Sequence, residues 1–159
     1  MPVSTFPDFI DALVAALQLR AGLAGVSIYS GPVTPEDLGQ ESIELAEDVE
    51  IEQSRASMGS TEMEESYSVP GSILVAAPIA PKSDMATTIN TATKAVRDRA
   101  FAILHEVVDE LAGNDEMTNT VRDVVMERLS FHQGAAPEGQ LGRIAWVEFS
   151  MKVEARVTP

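Results

Sequence analysis

The order of its hydrophobic patterns constrains the fold of this chain more than any single motif does. Apolar residues first recur at helical spacing, and a run of short β-type segments follows. A second, longer helical pattern comes next, and a strictly alternating segment closes the chain. Helix-period and strand-period segments in this order predict an α+β fold, in which the helices cover the apolar face of a sheet.

Both helical patterns carry start and stop signals. Thr5 is expected to cap the first helix and Gly22 to end it. Ser83 or Asp84 can cap the second helix, and residues 113–114, a glycine and an asparagine, end it. The apolar residues at helical spacing are Phe9, Ile10, Leu13, Val14 and Leu17 in the first pattern, and Ile89, Ala92, Val96, Ala100, Ile103, Val107 and Leu111 in the second.

The remaining apolar segments read as strands and the polar ones as turns. Pro70 and Gly71 should distort the strand that contains them, because proline is tolerated in a sheet only at an edge or a bulge. Residues 58–65 are polar and predict a turn or mobile loop, whereas residues 133–142, with three glycines and a proline, predict a hairpin loop. The predicted strands are residues 26–29, 42–45, 49–53, 67–77, the β-rich run 121–132, and the closing strand 145–157.

The closing strand has the clearest pattern in the chain. Its apolar face carries Ala145, Val147, Phe149, Met151, Val153, Ala155 and Val157, and its polar face carries Glu148, Ser150, Lys152, Glu154 and Arg156. Such alternation is typical of a half-buried antiparallel strand. We therefore expect a mostly antiparallel sheet with two helices packed on one face. The predicted core is Leu13, Leu17, Val96, Ile103, Val107, Val147, Phe149 and Met151.

Length and composition favour one soluble domain spanning residues 1–159. A chain of 159 residues can bury a sizeable core of its own. It has no cysteine, which excludes disulfides, thiolate metal ligands and a catalytic thiol. We expect no signal peptide and no membrane span, because the longest apolar runs are far shorter than the ~20 residues that cross a bilayer.

The charge is strongly negative and unevenly distributed. The formal net charge is −14, and residues 36–65 hold 11 acidic residues and one basic residue, a net of −10. Tight nucleic-acid binding is not expected, because affinity for phosphates comes from lysine and arginine. The acidic stretch, residues 36–66, is expected to mix loop and strand. Its plainest interpretation is a solvated face that keeps the protein soluble.

No pattern of catalytic residues stands out. His105 and Glu106 begin a zinc-protease motif, but the position four after His105 is Asp109 and not a second histidine. His105, Asp109 and His132 could together bind a metal ion. The alternative is that both histidines are structural or surface residues. The sequence lacks a nucleophile elbow, a phosphate-binding loop and a dinucleotide fingerprint. No cofactor is predicted.

Trp146 is the most informative single side chain. It lies beside Ile144, on the otherwise polar side of the closing strand. A loop of the same chain can cap such a residue, or another subunit can bury it, since aromatic residues are enriched at interfaces. The sequence leaves both alternatives open.

Three short runs are spread along the chain: PDFIDAL at residues 7–13, VSIYSGP at residues 26–32 and YSVPGSI at residues 67–73. A helix rich in alanine, with Arg97 and Arg99, and a terminal β-hairpin then follow. In these features the chain resembles the tail terminator proteins of long-tailed bacteriophages.

The resemblance implies a structural protein and not an enzyme. Members form a ring, usually hexameric, that caps the tail tube, ends its polymerisation and meets the head connector. The implied partners are further copies of the chain, the tube protein and the connector, with DNA passing through the channel. The implied location is the head-proximal end of the virion tail, after synthesis in the host cytoplasm. The residues proposed for contacts are Trp146, Ile144, Gln133, Pro137, Gln140, Glu50, Glu52, Glu64 and Glu65.

Two other classes of protein remain as alternatives. The chain could instead be another head–tail adaptor or the tail tube protein itself, which are of similar size. A tube protein would form an open-ended polymer and not a closed ring. A small soluble ligand-binding domain would need a concave pocket with convergent polar groups, and no such cluster is evident in the sequence.

Overall fold

The computed structural model describes residues 3–34, 38–79, 84–117, 119–136 and 142–158. The helices are α1, Phe6–Gln18, and α2, Met85–Gly113, with a single 3-10 turn at Ala21–Leu23. The strands are β1, Ser27–Tyr29; β2, Glu41–Leu45; β3, Ile51–Arg55; β4, Met63–Pro78; β5, Asp123–Ala135; and β6, Gly142–Val157. The expected α+β fold is confirmed, with a mixed, mostly antiparallel sheet of six strands.

The strands form one sheet in the order β1-β2-β4-β6-β5, and β3 also pairs with β4. Among the described strands, only β1 and β2 run parallel. Both β2 and β3 lie on the same side of β4: Leu45 pairs with Gly71, and Ile51 pairs with Tyr67. The two strands therefore act as one long strand that is interrupted at residues 46–50.

Pro70 explains where that interruption falls. The expected distortion of β4 is wrong, because β4 runs unbroken from Met63 to Pro78 and pairs with β6 along its whole length. The backbone oxygen of Pro70 accepts a bond from the N–H of Ala46 (2.8 Å), so Pro70 presents its hydrogen-bonding edge toward β2 and β3. Proline has no N–H to donate there. The neighbouring strand, and not β4, carries the break.

Both helices pack against one face of the sheet and enclose the core. All eight residues predicted for the core are buried, at 4% relative exposure or less: Leu13, Leu17, Val96, Ile103, Val107, Val147, Phe149 and Met151. The alternation predicted for β6 is also confirmed, because its seven apolar positions from Ala145 to Val157 are all buried. In α2, the first two residues of the predicted stripe, Ile89 and Ala92, are only half-buried.

The helix ends differ from the sequence prediction in two places. Thr5 stands at the N-cap of α1, but its side chain makes no capping bond and binds Glu65 instead. Gly22 does not end α1, which stops at Gln18. It lies in the 3-10 turn, where a side chain would overlap Glu106 of α2. For α2, Asp84 caps as predicted by accepting a bond from the N–H of Thr87 (3.1 Å), and Ser83 lies outside the described residues.

Two predicted loops are shorter than expected. Residues 63–65 belong to β4, because β3 and β6 pair with them from either side. Residues 133–135 and 142 belong to the terminal hairpin, in which Gln133 pairs with Ala145. The connection between β5 and β6 is therefore confined to residues 136–141. The glycines at positions 134 and 142 lie within paired strands.

Within the described residues, neither helix combines the length and apolar character needed to cross a membrane.

Candidate assembly surface

The residues predicted for contacts occupy two separate places on the sheet. Trp146 and Ile144 lie near the start of β6, whereas Glu64 pairs with Arg156 near its end. Ten residues of strand at ~3.3 Å each place these groups roughly 33 Å apart. They do not form a single site, so we describe each end of the sheet in turn.

Trp146 lies half-buried on the face of the sheet that carries no helix. Its indole ring stacks on His132 of β5, with ring centroids 5.2 Å apart and an interplanar angle of 15°. His132 Nε2 lies 3.4 Å from a carboxylate oxygen of Glu148. On the other side of Trp146, the cross-strand partner is Leu74 of β4. A neighbouring strand therefore covers part of Trp146. The alternatives drawn from the sequence were a loop of the same chain or another subunit, and not a neighbouring strand.

The other residues predicted at this end lie apart from the tryptophan. Ile144 is half-buried next to Ala76, whereas Gln133 is exposed and shares the helix-side face with Ala145. Pro137 and Gln140 lie outside the described residues.

Glu64 lies at the far end, where two arginines surround its carboxylate. Arg156 donates to it from Nε (3.1 Å) and Nη2 (2.6 Å), and Arg122 donates from Nη1 (3.0 Å). Hydrogen bonding to Arg156 lowers the pKa of Glu64 below its ordinary value. Arg156 also reaches Glu62. This part of the acidic stretch is therefore balanced within the chain.

Glu65 is buried, so its interpretation as part of a solvated acidic face is wrong. Only 2% of the residue is exposed, because β4 directs it toward the helices. Its carboxylate accepts bonds from the Thr5 N–H (2.9 Å), the Thr5 hydroxyl (2.6 Å) and Gln53 Nε2 (2.6 Å). Burial raises the pKa of Glu65, but these hydrogen bonds outweigh burial and leave the pKa below its ordinary value. Glu65 holds the start of α1 to the sheet and cannot meet a partner.

The exposed carboxylates without ion-pair partners are concentrated at and beside the interruption between β2 and β3. Glu41 is engaged by Arg99 of α2 through two hydrogen bonds of 2.8 and 2.9 Å. Four other carboxylates are exposed and have no ion-pair partner among the described residues: Glu47, Asp48, Glu50 and Glu52. This group is called the acidic edge below. It flanks β3, for which β4 is the only partner among the strands that the structure describes.

The opposite edge of the sheet has a different character, which sequence reasoning missed. No described segment pairs with the outer side of β5, a strand of 13 residues. Leu129 is 52% exposed and Phe101 of α2 is 44% exposed. Phe131 lies beside them, with its ring 5.2 Å from the ring of Phe101. These three residues form the apolar patch.

Arg128 adjoins the apolar patch on the other face of the strand. It is exposed, and no ion pair to it is present among the described residues. A β-bulge at Glu127 precedes it, because Met126 pairs with Met151 and Arg128 with Ser150. The period-two spacing of Leu129 and Phe131 was visible in the sequence, but their exposure depends on how far α2 covers the sheet.

The described residues provide little for metal or small-molecule chemistry. His105 lies on α2 near Asp109 (3.2 Å), whereas His132 lies on the helix-free face, so the conceived three-ligand set is not brought together. Across the described ranges, no group of three or more potential ligands is arranged to hold a metal ion. The surface depression of about 590 Å³ beside β3 is lined mainly by carboxylates and serines, including Glu52, Ser54 and Glu154.

Compared with models of known protein families and with curated protein sequences, the chain gives no significant match.

Proposed function

We propose that this protein is a structural virion component that assembles as a ring on the end of a phage tail tube. The ring ends polymerisation of the tube and joins it to the head connector. The protein acts by binding other proteins and not by catalysis. Its element order, which resembles that of tail terminators, supports this proposal. The sheet supports it too, because β5 at one edge and β3 at the other have no described strand on their outer sides.

The observation that carries the proposal is the long edge strand β5, whose outer side pairs with no described segment. Natural proteins usually blunt an exposed edge strand with proline, with charge, with a bulge, with a short length or with a covering segment. In β5 the bulge at Glu127 and the charged side chains lie in the first half, and residues 129–135 hold no carboxylate, lysine or arginine. β5 is 13 residues long, and Val125 and Leu129 are about half exposed (47% and 52%). An apolar patch next to an open edge is typical of a surface that a protein partner covers. In a protein that assembles, such an edge can pair with a strand of a neighbouring subunit.

The charge supports the same role. Six copies would carry 6 × −14 = −84. If carboxylates such as Glu47 and Asp48 line the channel, their field repels the phosphates of passing DNA and prevents the bore from gripping it. Replacing both with glutamine should then slow DNA ejection. Replacing the ion pair Glu64 and Arg156 with glutamines leaves the net charge unchanged and should not slow it. Unchanged ejection would contradict this part of the proposal.

The decisive experiment combines assembly with capping. Light scattering after size exclusion should give a ring mass near 102 kDa, six copies of 17.0 kDa, and negative-stain images should show closed rings. Added to polymerising tube protein, the ring should stop elongation at one end. Open-ended growth of this protein alone would favour a tube component. A protein that stays monomeric both alone and with tube ends would contradict the proposal and favour a ligand-binding domain.

A further inference from the structure

We infer that neighbouring copies join through their sheets, with β5 of one copy pairing antiparallel with β3 of the next. Leu129 lies opposite Ile51 in this arrangement, and Arg128 lies opposite Glu52. The inference rests on the proposed function, since it assumes that copies associate, but it adds which surfaces meet and in which register.

Strand direction is the first argument. β4 is antiparallel to both β3 and β6, and β6 is antiparallel to β5. β5 therefore runs opposite to β3. A second copy placed beside the first, with its helices on the same side, brings the two free edges together as an antiparallel pair. The two edges are different surfaces, so the contact is head-to-tail and can close into a ring.

Side-chain faces are the second argument. Leu129 pairs with Phe149 and Ile51 pairs with Tyr67, so both lie on the helix side of their strands. Both are exposed in the single chain, at 52% and 40%. Residues directly opposite in an antiparallel pair share a face, so Ile51 of one copy can cover the apolar patch of the next.

Charge on the other face gives the third argument. Arg128 pairs with Ser150 and Glu52 pairs with Ser66, which places both on the helix-free side. Each is exposed and has no ion-pair partner among the described residues. The register that sets Leu129 opposite Ile51 also sets Arg128 opposite Glu52, because antiparallel neighbours step in opposite directions. One register thus satisfies both faces.

The outer side of β3 is free to receive the added strand. β1 covers the outer side of β2 only as far as Glu44, through its pair with Tyr29 at the end of β1. Beyond Glu44, no described strand pairs with this outer side.

Disulfide trapping tests the inference directly, because the natural chain has no cysteine. In the variant E50C/S130C the two cysteines face each other across neighbouring copies, within the distance that a disulfide spans. Mild oxidation should give a ladder of covalent oligomers that ends at the closed ring. The matched control S54C/S130C displaces one cysteine by four residues, roughly 13 Å along the strand, and should give no ladder. Mixing the two single variants E50C and S130C should give dimers only.

The outcomes separate the inference from the proposed function. Rings that form normally while E50C/S130C gives no ladder would overturn the edge pairing and leave the ring intact. Efficient dimers from S130C alone would also overturn it, since they require two β5 strands to meet. A wild-type protein that associates neither alone nor on tube ends would overturn both.

A charge exchange gives an independent readout. R128E should raise the concentration needed for assembly at least about tenfold, since it places two carboxylates opposite each other, and E52R/R128E should restore assembly. Circular dichroism checks that each variant is folded. Failure of the double variant to recover, with both variants folded, would contradict the pairing of these two residues.

Discussion

At the scale of single residues, Glu65 shows how position in the fold overrides local composition. It belongs to the most acidic stretch of the sequence, yet it is buried, unlike the other carboxylates of that stretch that the structure describes. Its donors, Thr5 and Gln53, are 60 and 12 residues away in sequence. A buried carboxylate without a cation is stable only when hydrogen bonds satisfy its oxygens, as they do here.

Replacing Glu65 should therefore destabilise the protein in a pH-dependent manner. E65Q should lower the free energy of unfolding by about 1–3 kcal/mol at pH 7, because charge-assisted bonds become neutral ones and one amide hydrogen lacks an acceptor. The lowered pKa means that the stabilisation by Glu65 is fully present above its ordinary value of 4.5 and is lost as pH falls through the folded-state pKa. Urea denaturation between pH 3 and about pH 7 measures this difference. The exposed E52Q serves as control, and a pH-independent loss in E65Q would contradict the prediction.

At the scale of elements, β4 is the strand around which the sheet is organised. It pairs with β6 throughout and with β2 and β3 in succession on its other side. Pro70 fixes the interruption between those two, and the next residue, Gly71, lies under the ring of Phe149. The sequence pointed to this Pro–Gly pair as a disturbance, but tertiary pairing moved the disturbance to the neighbouring strand.

A side chain at position 71 should disrupt this packing. In G71A the added Cβ would overlap the Phe149 ring and approach Cδ2 of Leu45 at 3.0 Å, so the core must shift. We expect a loss of roughly 1–3 kcal/mol, the usual cost of overpacking. G134A is the matched control, because it adds a methyl group to a strand glycine with open space around it. Equal stabilities of the two variants in thermal and urea unfolding would show that Phe149 does not cover Gly71.

At the scale of the whole molecule, charge and shape act in opposite directions on assembly. A net charge of −14 on each copy opposes association, whereas the apolar patch and the open edges favour it. The negative charge is unevenly available, because arginines engage Glu41, Glu62 and Glu64 within the chain. The acidic edge keeps its negative charge. It lies at the edge of the sheet opposite to the one that carries Arg128.

Ring formation should therefore depend on salt in a defined direction. The Debye length falls from about 30 Å at 0.01 M to about 8 Å at 0.15 M salt, so long-range repulsion between copies is screened while contacts at an interface persist. The fraction of ring seen by light scattering should rise over this range and then level off. If the fraction falls steadily with salt, attraction between charges dominates assembly instead.

Periodicity was enough to place both helices and the closing strand and to identify the core residues among them. The 3.6-residue spacing in α2 and the two-residue alternation in β6 follow from backbone geometry, so the core residues of both were correctly predicted. The candidate contact residues were a weaker prediction. Glu50 and Glu52 are exposed, so a partner can reach them, whereas Glu65 is buried. The position of Arg128 and Leu129 on an open edge was not evident from the sequence.

Which segments meet depends on packing across the whole fold. The burial of Glu65, the interruption opposite Pro70 and the exposure of the apolar patch each depend on pairing between residues that are distant in the chain. Local propensity carries no information about such pairing, because the same alternating strand can lie at the centre or at the edge of a sheet. The hydrophobic pattern specified what each segment becomes, and packing specified which surfaces remain open to a partner.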